Sequence, residues 1–344
     1  MKAVVIDHFV HQYDEVRVTD IPRPARKDNE ILIQVRAAGV NFVDTLYARG
    51  KHQNNQRHVK PPFVLGLEFA GIVASAPPSS QFVPGDRVFG DWSGSYAEYI
   101  SIPASSSLHR IPAGWDFTHA AGLAATVPVS YGALVPCGKL SKGESVLVHA
   151  AAGGLGLAAV QIAKALGCTV IATAGSEHKC HVAKQYGADC SINYESDTQW
   201  WSKIMNLTGG NGVDVVFDSV GLVERSFKCL AHRGRILVVG FAGREGNMES
   251  IRMNRVLLKQ AQIIGYRFGE SYRRYPEEKD QIWSQVFEMI DQGKIKPTIY
   301  EKEYKGLQAI PEALADIASR KVWGKAIIQV KKSFNDGQIV AARI

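Results

Sequence analysis

The chain has 344 residues, of which 46% are hydrophobic and 21% charged, and it carries a net charge of +7. That length and composition describe an ordinary globular chain of roughly two domains. No apolar run approaches the ~20 residues of a membrane helix, and the basic residues are scattered rather than blocked, which argues against a nucleic-acid platform. The positive balance is compatible with phosphorylated cofactors or thioester carriers, and equally with mere solubility. The N-terminus, MKAVVIDHF, meets an acid after a few apolar residues and does not read as a signal peptide. Five cysteines (Cys137, Cys168, Cys180, Cys190, Cys229) form no CxxC pair. A sparse, odd set predicts reduced thiols and a cytoplasmic protein.

Met1 to Ile6 predicts a strand, and Glu30 to Arg36 (EILIQVR) alternates as a half-buried strand does. The run Ala37-Ala38-Gly39-Val40-Asn41-Phe42-Val43-Asp44 follows, then Tyr47, Arg49 and Gly50. Lys51 to Lys60 is polar and basic and reads as an exposed loop. Pro61 to Val73 and Asp86 to Phe89 are strand-like, the second behind a Pro84-Gly85 turn, and Ala97 to Ile102 is another strand. Short strands with many turns predict a compact barrel-like domain.

From about Phe117 the character changes. Ala120 to Leu134 is rich in small apolar residues and predicts a helix pair. Ser145 to His149 is a short buried strand, followed by Ala150-Ala151-Ala152-Gly153-Gly154-Leu155-Gly156. Leu155, Ala158, Ala159, Ile162, Ala163 and Leu166 then fall at helical spacing until Gly167 stops the helix. Strand, glycine turn and helix form the context of a phosphate-binding fingerprint, in which glycines admit a pyrophosphate to the first N–H groups of the helix. Here Ala150 replaces the usual first glycine, giving AxxGxxG.

Cys168 to Thr173 is a second strand. A site for NAD wants an acid at its end, for the ribose 2′-hydroxyl. This chain instead has Gly175 and Ser176, with Lys179 three residues on. Hydroxyl, backbone N–H and ammonium suit a 2′-phosphate, so the pattern favours NADPH; Lys179 also reads as a solvated helix residue. Strands expected at 145–149, 168–173, 190–192, 213–217, 235–239 and 262–266, with helices such as Glu177–Tyr186 and Thr198–Leu207, make an α/β fold with a doubly wound, six-stranded parallel sheet. Asp218-Ser219-Val220-Gly221 and Gly240-Phe241-Ala242-Gly243 lie at strand ends, where such sheets bind ligands.

Pro276 to Gln292 predicts an amphipathic helix, with Ile282, Trp283, Val286, Phe287 and Ile290 on one face. Lys296–Tyr304 and Lys325–Val330 read as strands flanking a helix at Pro311–Ser319, and return the chain to its first domain. The tail from Lys331 to Ile344 has no pattern, and its final Ala-Arg-Ile is at best a poor relative of a peroxisomal signal.

Taken together, the chain resembles the zinc-free quinone oxidoreductase branch of the medium-chain dehydrogenase/reductase superfamily, from Met1 to about Val330. The carriers are Ala38-Gly39-Val40-Asn41 with Asp44, Arg49 and Gly50; Gly66-Leu67-Glu68-Phe69-Ala70-Gly71; Gly85-Asp86-Arg87-Val88; Ala150 to Gly156; and the loops at Asp218 and Gly240. The resemblance implies a Rossmann domain over 123–267 and a β-rich GroES-like catalytic domain from 1–122 and 268–344. Zinc-dependent relatives place Cys at Asn41 and His at Leu67, and their third ligand falls near Ala125-Thr126, so no zinc is expected. Asp44 and Glu68 are then expected to pair with Arg49 or Arg87. His149, beside the glycine turn, reads as a packed residue rather than a base.

The resemblance also implies site roles. Asn41 and Thr126 should contact the nicotinamide end; Gly153, Gly154, Leu155 and Gly156 the pyrophosphate; Gly175, Ser176, Lys179 and Tyr194 the adenine ribose and its 2′-phosphate. Ser219, Gly240 and Phe241 should line the trough, with Lys325 near it. Tyr47, Tyr131 and Phe268 line an apolar slot for substrate or else pack at the domain seam. Tyr47 is the candidate proton donor, although a proton can also come from solvent. The implied function is metal-independent hydride transfer from NADPH to a quinone in the interdomain cleft. The alternatives are reduction of an enone or enoyl-thioester C=C bond, and an NADPH-binding regulatory or RNA-associated protein with little turnover. The missing basic–aromatic stripe argues against the last. A homodimer through the nucleotide domain is expected, with no nucleic-acid or membrane partner.

Overall fold

A computed structural model describes residues 1–56, 58–244 and 247–330. The tail with its Ala-Arg-Ile end lies outside the described residues. The chain divides into two compact units, one of Met1–Ala125 with the chain from Ile299 onward, the other Thr126–Thr298.

The first unit opens with β1 (Lys2–Ile6), β2 (Arg17–Asp20), β3 (Glu30–Val40), α1 (Phe42–Ala48), β4 (Phe63–Val64), β5 (Glu68–Ser75), β6 (Arg87–Asp91), β7 (Tyr99–Pro103), β8 (Leu108–Arg110) and α2 (Phe117–Ala120). β3 outruns its expected end at Arg36. Beyond a register shift at Val35/Ala37, its Ala37, Ala38 and Gly39 still pair with Ala70, Phe69 and Glu68 of β5. The single strand expected over Pro61–Val73 is instead two, because Gly66 breaks it with φ 99°. A Cβ at Gly66 would stand 2.4 Å from the Tyr96 ring, so the break seats Tyr96.

The second unit carries α3 (Val127–Gly132), β9 (Ser145–Val148), α4 (Gly154–Ala165), β10 (Thr169–Ala174), α5 (Glu177–Gln185), β11 (Cys190–Asn193), α6 (Trp200–Leu207), β12 (Val213–Asp218), α7 (Val223–Ser226), β13 (Leu230–Val238), α8 (Met253–Lys259), β14 (Gln262–Gly265), α9 (Phe268–Arg274) and α10 (Pro276–Asp291). Its six strands pair in parallel in the order β11-β10-β9-β12-β13-β14. The order reverses on either side of β9, which marks the ligand edge of a doubly wound sheet. Leu147, Ile171, Val216, Ile236, Trp200 and Phe227 form its core.

The expected domain boundary at 268 moves to Ile299. α10 packs on α3 and α9 and buries Ile282, Trp283, Val286, Met289 and Ile290, Met289 taking the place expected of Phe287. The segment after it is pinned to the second unit. Lys296 N–H donates to Gln161 Oε1 at 2.8 Å, and Tyr186 Oη donates to the Pro297 carbonyl at 3.0 Å. The strand expected over Lys296–Tyr304 therefore shrinks to an isolated bridge between Ile299 and Lys325 and to β15 (Tyr304–Lys305). α11 (Ile310–Ala318) and β16 (Ala326–Gln329) follow. β16 pairs antiparallel with β3, Ala326 opposite Val40, and completes the larger sheet of the first unit. Ile31, Ile33, Val35, Phe69, Ile102 and Ile328 lie at its core.

α8 buries none of its residues: Met253, Leu257 and Leu258 are 68%, 76% and 74% exposed. Beside it β14 ends the six-stranded sheet. Among the described residues no helix is long and apolar enough to cross a membrane.

Candidate active site

The C-terminal ends of β9, β10, β12 and β13 carry the glycine loop, the Gly175–Lys179 segment, Ser219 and Gly240-Phe241 on one edge of the second unit. Gly153 is the N-cap of α4, and its N–H donates to the Ala150 carbonyl at 2.8 Å. A Cβ at Gly156 would meet the Ala150 oxygen at 2.3 Å and Ala151 Cα at 2.6 Å, so only glycine lets α4 seat this closely. Ala150, in place of the usual first glycine, adopts φ 48°, a left-handed conformation that costs an alanine about 1 kcal/mol. α4 runs for 12 residues, long enough to present a full dipole and open N–H groups to an anion.

At the end of β10, Ser176 caps α5, its Oγ accepting the Lys179 N–H at 3.2 Å. A Cβ on Gly175 would stand 2.7 Å from Tyr194 Oη, so Tyr194 closes over this glycine. The structure thus brings Gly175, Ser176, Lys179 and Tyr194 together. The neighbouring carboxylate, Glu177, takes a hydrogen bond from Asn193 Nδ2 at 2.9 Å. Asp218 is fully buried and accepts the N–H groups of Val220, Gly221 and Leu222 at 2.6–2.8 Å, shaping the Ser219 loop. The Ser219 carbonyl accepts the Ala242 N–H at 3.1 Å, which ties that loop to Gly240 and the half-exposed Phe241.

His149 is fully buried, with its ring nitrogens 2.8 Å from Thr173 Oγ1 and 2.9 Å from Ser226 Oγ. Burial holds its imidazole below the usual range against the pull of Asp218. It bridges β10 and α7 behind the glycine loop.

Asn41 and Lys325 belong to the first unit and join a buried polar cluster that periodicity did not announce. Lys325 is 3% exposed; its Nζ donates to Asn41 Oδ1 at 2.7 Å and forms an ion pair with Glu68. Asn41 Nδ2 donates to Glu68 Oε1 at 3.1 Å, and the Ala125 N–H reaches Glu68 Oε2 at 2.9 Å. Gly39 makes the room: a Cβ there would fall 2.3 Å from Glu68 Oε1. Asp44 Oδ2 accepts the Asn41 N–H at 2.8 Å and the Tyr96 hydroxyl at 2.5 Å. Burial pushes the Asp44 carboxyl up to about 6, although Tyr96 and Asn41 oppose it, and burial beside Asp44 raises Tyr96 well above its ordinary value. The expected partners Arg49 and Arg87 are elsewhere. Arg87 is exposed, donates to the Trp115 carbonyl at 3.0 Å and covers the Phe117 ring, and Arg49 lies over Tyr13. Arg87 keeps its charge near water, whereas Lys325 is carried into the cluster just ahead of β16.

Tyr47, near the end of α1, accepts a hydrogen bond from Asn54 Nδ2 at 2.9 Å and stacks on His52 with centroids 4.3 Å apart. The basic loop read as merely exposed thus supports this phenol. Tyr131 is 9% exposed on α3, and burial together with Glu288 raises its phenol. Phe268 opens α9 against Tyr272. Thr126 is buried at the N-cap of α3. Tyr131, Phe268 and Thr126 belong to the second unit and Tyr47 to the first.

Residues 27–113 match the alcohol dehydrogenase GroES-like domain and residues 154–288 the zinc-binding dehydrogenase family. Quinone oxidoreductase-like protein 2 of Bos taurus is 36% identical over 324 residues, covering 90% of this chain and 87% of that protein. The chain belongs to the quinone oxidoreductase branch of the medium-chain dehydrogenase/reductase superfamily. Among solved structures, Escherichia coli quinone oxidoreductase in complex with NADPH superposes with a TM-score of 0.85 at 28% identity, covering 96% of this chain and 100% of that one. The CurK enoyl reductase does so with a TM-score of 0.84 at 26% identity, covering 95% and 99%.

As a member of this branch the chain is an oxidoreductase. Its glycine loop, closed to any Cβ at Gly156, fits a dinucleotide pyrophosphate. Among the described residues no group of three or more His, Cys, Asp or Glu could hold a metal ion.

Proposed function

We propose that this oxidoreductase is an NADPH-dependent quinone reductase that works without a metal. The observation that carries the cofactor choice is the end of β10: Ser176 and Lys179 stand there, and the adjacent Glu177 is engaged by Asn193. A serine hydroxyl, an N-terminal turn of helix and an ammonium favour a 2′-phosphate, whereas an acid in the place of Ser176 would repel it. NADPH-bound Escherichia coli quinone oxidoreductase supports the same reading.

When bound, the cofactor supplies a hydride, and with one proton a quinone leaves as its hydroquinone. The residues of the chain align and shield. Gly153, Gly154, Leu155 and Gly156 receive the pyrophosphate on the N-terminus of α4. Gly175, Ser176, Lys179 and Tyr194 hold the 2′-phosphate end, and Ser219, Gly240 and Phe241 flank the cofactor. Asn41 and Thr126 serve the nicotinamide end. Tyr47, Tyr131 and Phe268 serve the acceptor, with Tyr47 donating a hydrogen bond or proton to its oxygen. Asn54 Nδ2, donating to Tyr47 Oη, stabilises charge developing there. Glu68 has its counter-charge in Lys325, so the buried acid needs no metal for balance.

A second reading, reduction of an enone or enoyl-thioester C=C bond, is favoured by the likeness to the CurK enoyl reductase. NADPH oxidation against a panel of quinones, enones and an enoyl thioester, with NADH and a chelator as controls, decides. Chelator-resistant turnover of quinones with NADPH supports the proposal. Turnover of the alkenes alone moves the assignment to C=C reduction, and NADH preference or chelator sensitivity overturns the corresponding part.

We further propose that two copies associate through α8 and β14. An apolar helix beside an open strand edge is self-complementary about a two-fold axis. We also propose that the protein works in the reducing cytoplasm, a reading its five free cysteines support.

A further inference from the structure

The Asn41 side chain is held at both ends by groups that accept only one orientation of its amide. An ammonium only donates and a carboxylate only accepts. Lys325 Nζ faces Oδ1 at 2.7 Å, and Glu68 Oε1 faces Nδ2 at 3.1 Å. Turning the amide over would set N–H against ammonium and oxygen against carboxylate, two repulsive contacts in a buried site. The holders are themselves held. Glu68 is fully buried and takes the Ala125 N–H on its other oxygen. The Lys325 stem runs past Gly122, where a Cβ would stand 3.3 Å from its Cβ and Cγ. The Asn41 backbone N–H is fixed to Asp44 at 2.8 Å. The second Nδ2 hydrogen has only a long 3.5 Å contact, to the Gly39 carbonyl.

We propose that the Lys325–Glu68 ion pair is a positioning device that locks Asn41 with its N–H side on offer, so that Asn41 recognises a carbonyl oxygen. Lys325 then acts through Asn41 and is not itself a cofactor contact. The inference rests on the proposed placement of Asn41 at the reacting end. The oxygen has two possible sources, the carboxamide of the cofactor and the carbonyl of the acceptor, and both present the same acceptor chemistry.

The test compares K325M with the double variant K325M/E68Q. K325M leaves Glu68 buried and unpaired and is expected to melt early. K325M/E68Q removes both charges and is expected to melt close to wild type, yet its amide is free to turn. Misplacement of this kind costs about 100-fold in the step it serves. If the oxygen belongs to the cofactor, the dissociation constant for NADPH rises, that for 2′,5′-ADP (which lacks the nicotinamide) does not, and the preference for NADPH over its thiocarboxamide analogue shrinks. If it belongs to the acceptor, kcat/KM for the quinone falls while NADPH binding holds. A double variant with wild-type melting, NADPH binding and turnover overturns the proposal and leaves the pair a matter of charge balance alone. A wild-type protein that turns over neither quinone nor enone refutes the functional reading instead. In that case no acceptor oxygen remains and the cofactor carboxamide is the sole candidate, so an unchanged NADPH dissociation constant in the double variant overturns the positioning role.

Discussion

Asp44 should make the protein less stable as the pH rises, and Asp44→Asn should remove that dependence. The carboxyl is fully buried, Oδ2 accepts from Asn41 and Tyr96, and Oδ1 has no hydrogen-bond partner. Its folded pKa is raised from 3.8 to about 6, with burial the largest cause. Below 3.8 the group is neutral in both states and its contribution is intact. Between 3.8 and about 6 the unfolded chain ionises while the folded one resists, so stability falls; above that the loss is complete. A shift of about 2 pKa units corresponds to roughly 3 kcal/mol at 1.36 kcal/mol per unit. Urea unfolding of wild type and D44N between pH 4 and pH 8 measures it. The stability of the variant relative to wild type should climb by roughly 3 kcal/mol from the acid to the neutral end. A difference that stays flat across that range would show that Asp44 is ionised throughout and refute the account of its burial.

Ser176→Asp should raise KM for NADPH by about 10- to 100-fold, the worth of one charge-assisted hydrogen bond, and leave KM for NADH far less affected; equal effects on both cofactors would remove Ser176 from the 2′-phosphate site. Ala150→Gly relieves the φ of 48° and should stabilise the fold by about 1 kcal/mol in a thermal melt. L257K/L258K places two charges on the exposed face of α8, and light scattering should find a monomer with an unchanged melting profile; a dimer of wild-type mass would send the interface elsewhere.

The second unit was largely legible in the sequence because its signals are local. Each strand of a doubly wound sheet is a short apolar run, and each helix repeats at 3.6 residues. Ser145–Val148, Thr169–Ala174 and Val213–Asp218 therefore fall within a residue or so of their expected ends. Gly167, with φ 79°, stops α4 where a C-terminal glycine should. Where reading failed, a partner distant in sequence decided the outcome. β3 runs on to Val40 because β5 and β16 pair with its small residues. Residues 268–298 stay with the second unit because α3, Gln161 and Tyr186 hold them, none of which their own pattern reveals.

The candidate site shows the same division more sharply. The residues proposed to face the cofactor phosphates follow one another along strand–loop–helix units, so spacing alone brings Gly175, Ser176 and Lys179 to one end of β10. The Asn41 cluster is assembled otherwise: Lys325 meets Asn41 across 284 positions. Spacing could at most have flagged that Glu68, following Gly66-Leu67, needs a cation, and it pointed to Arg49 and Arg87 because they lie near in sequence. Physical chemistry favours the remote lysine. A carboxylate at 0% exposure must be matched by a charge that is also withdrawn from water, since an exposed guanidinium is screened and loses little by staying solvated. Lys325, placed by β16 beside Val40 at the end of β3, is delivered into the interior by backbone pairing rather than by its own hydration preference. The sheet thereby supplies, from the far end of the chain, the cation that the first 125 residues leave out.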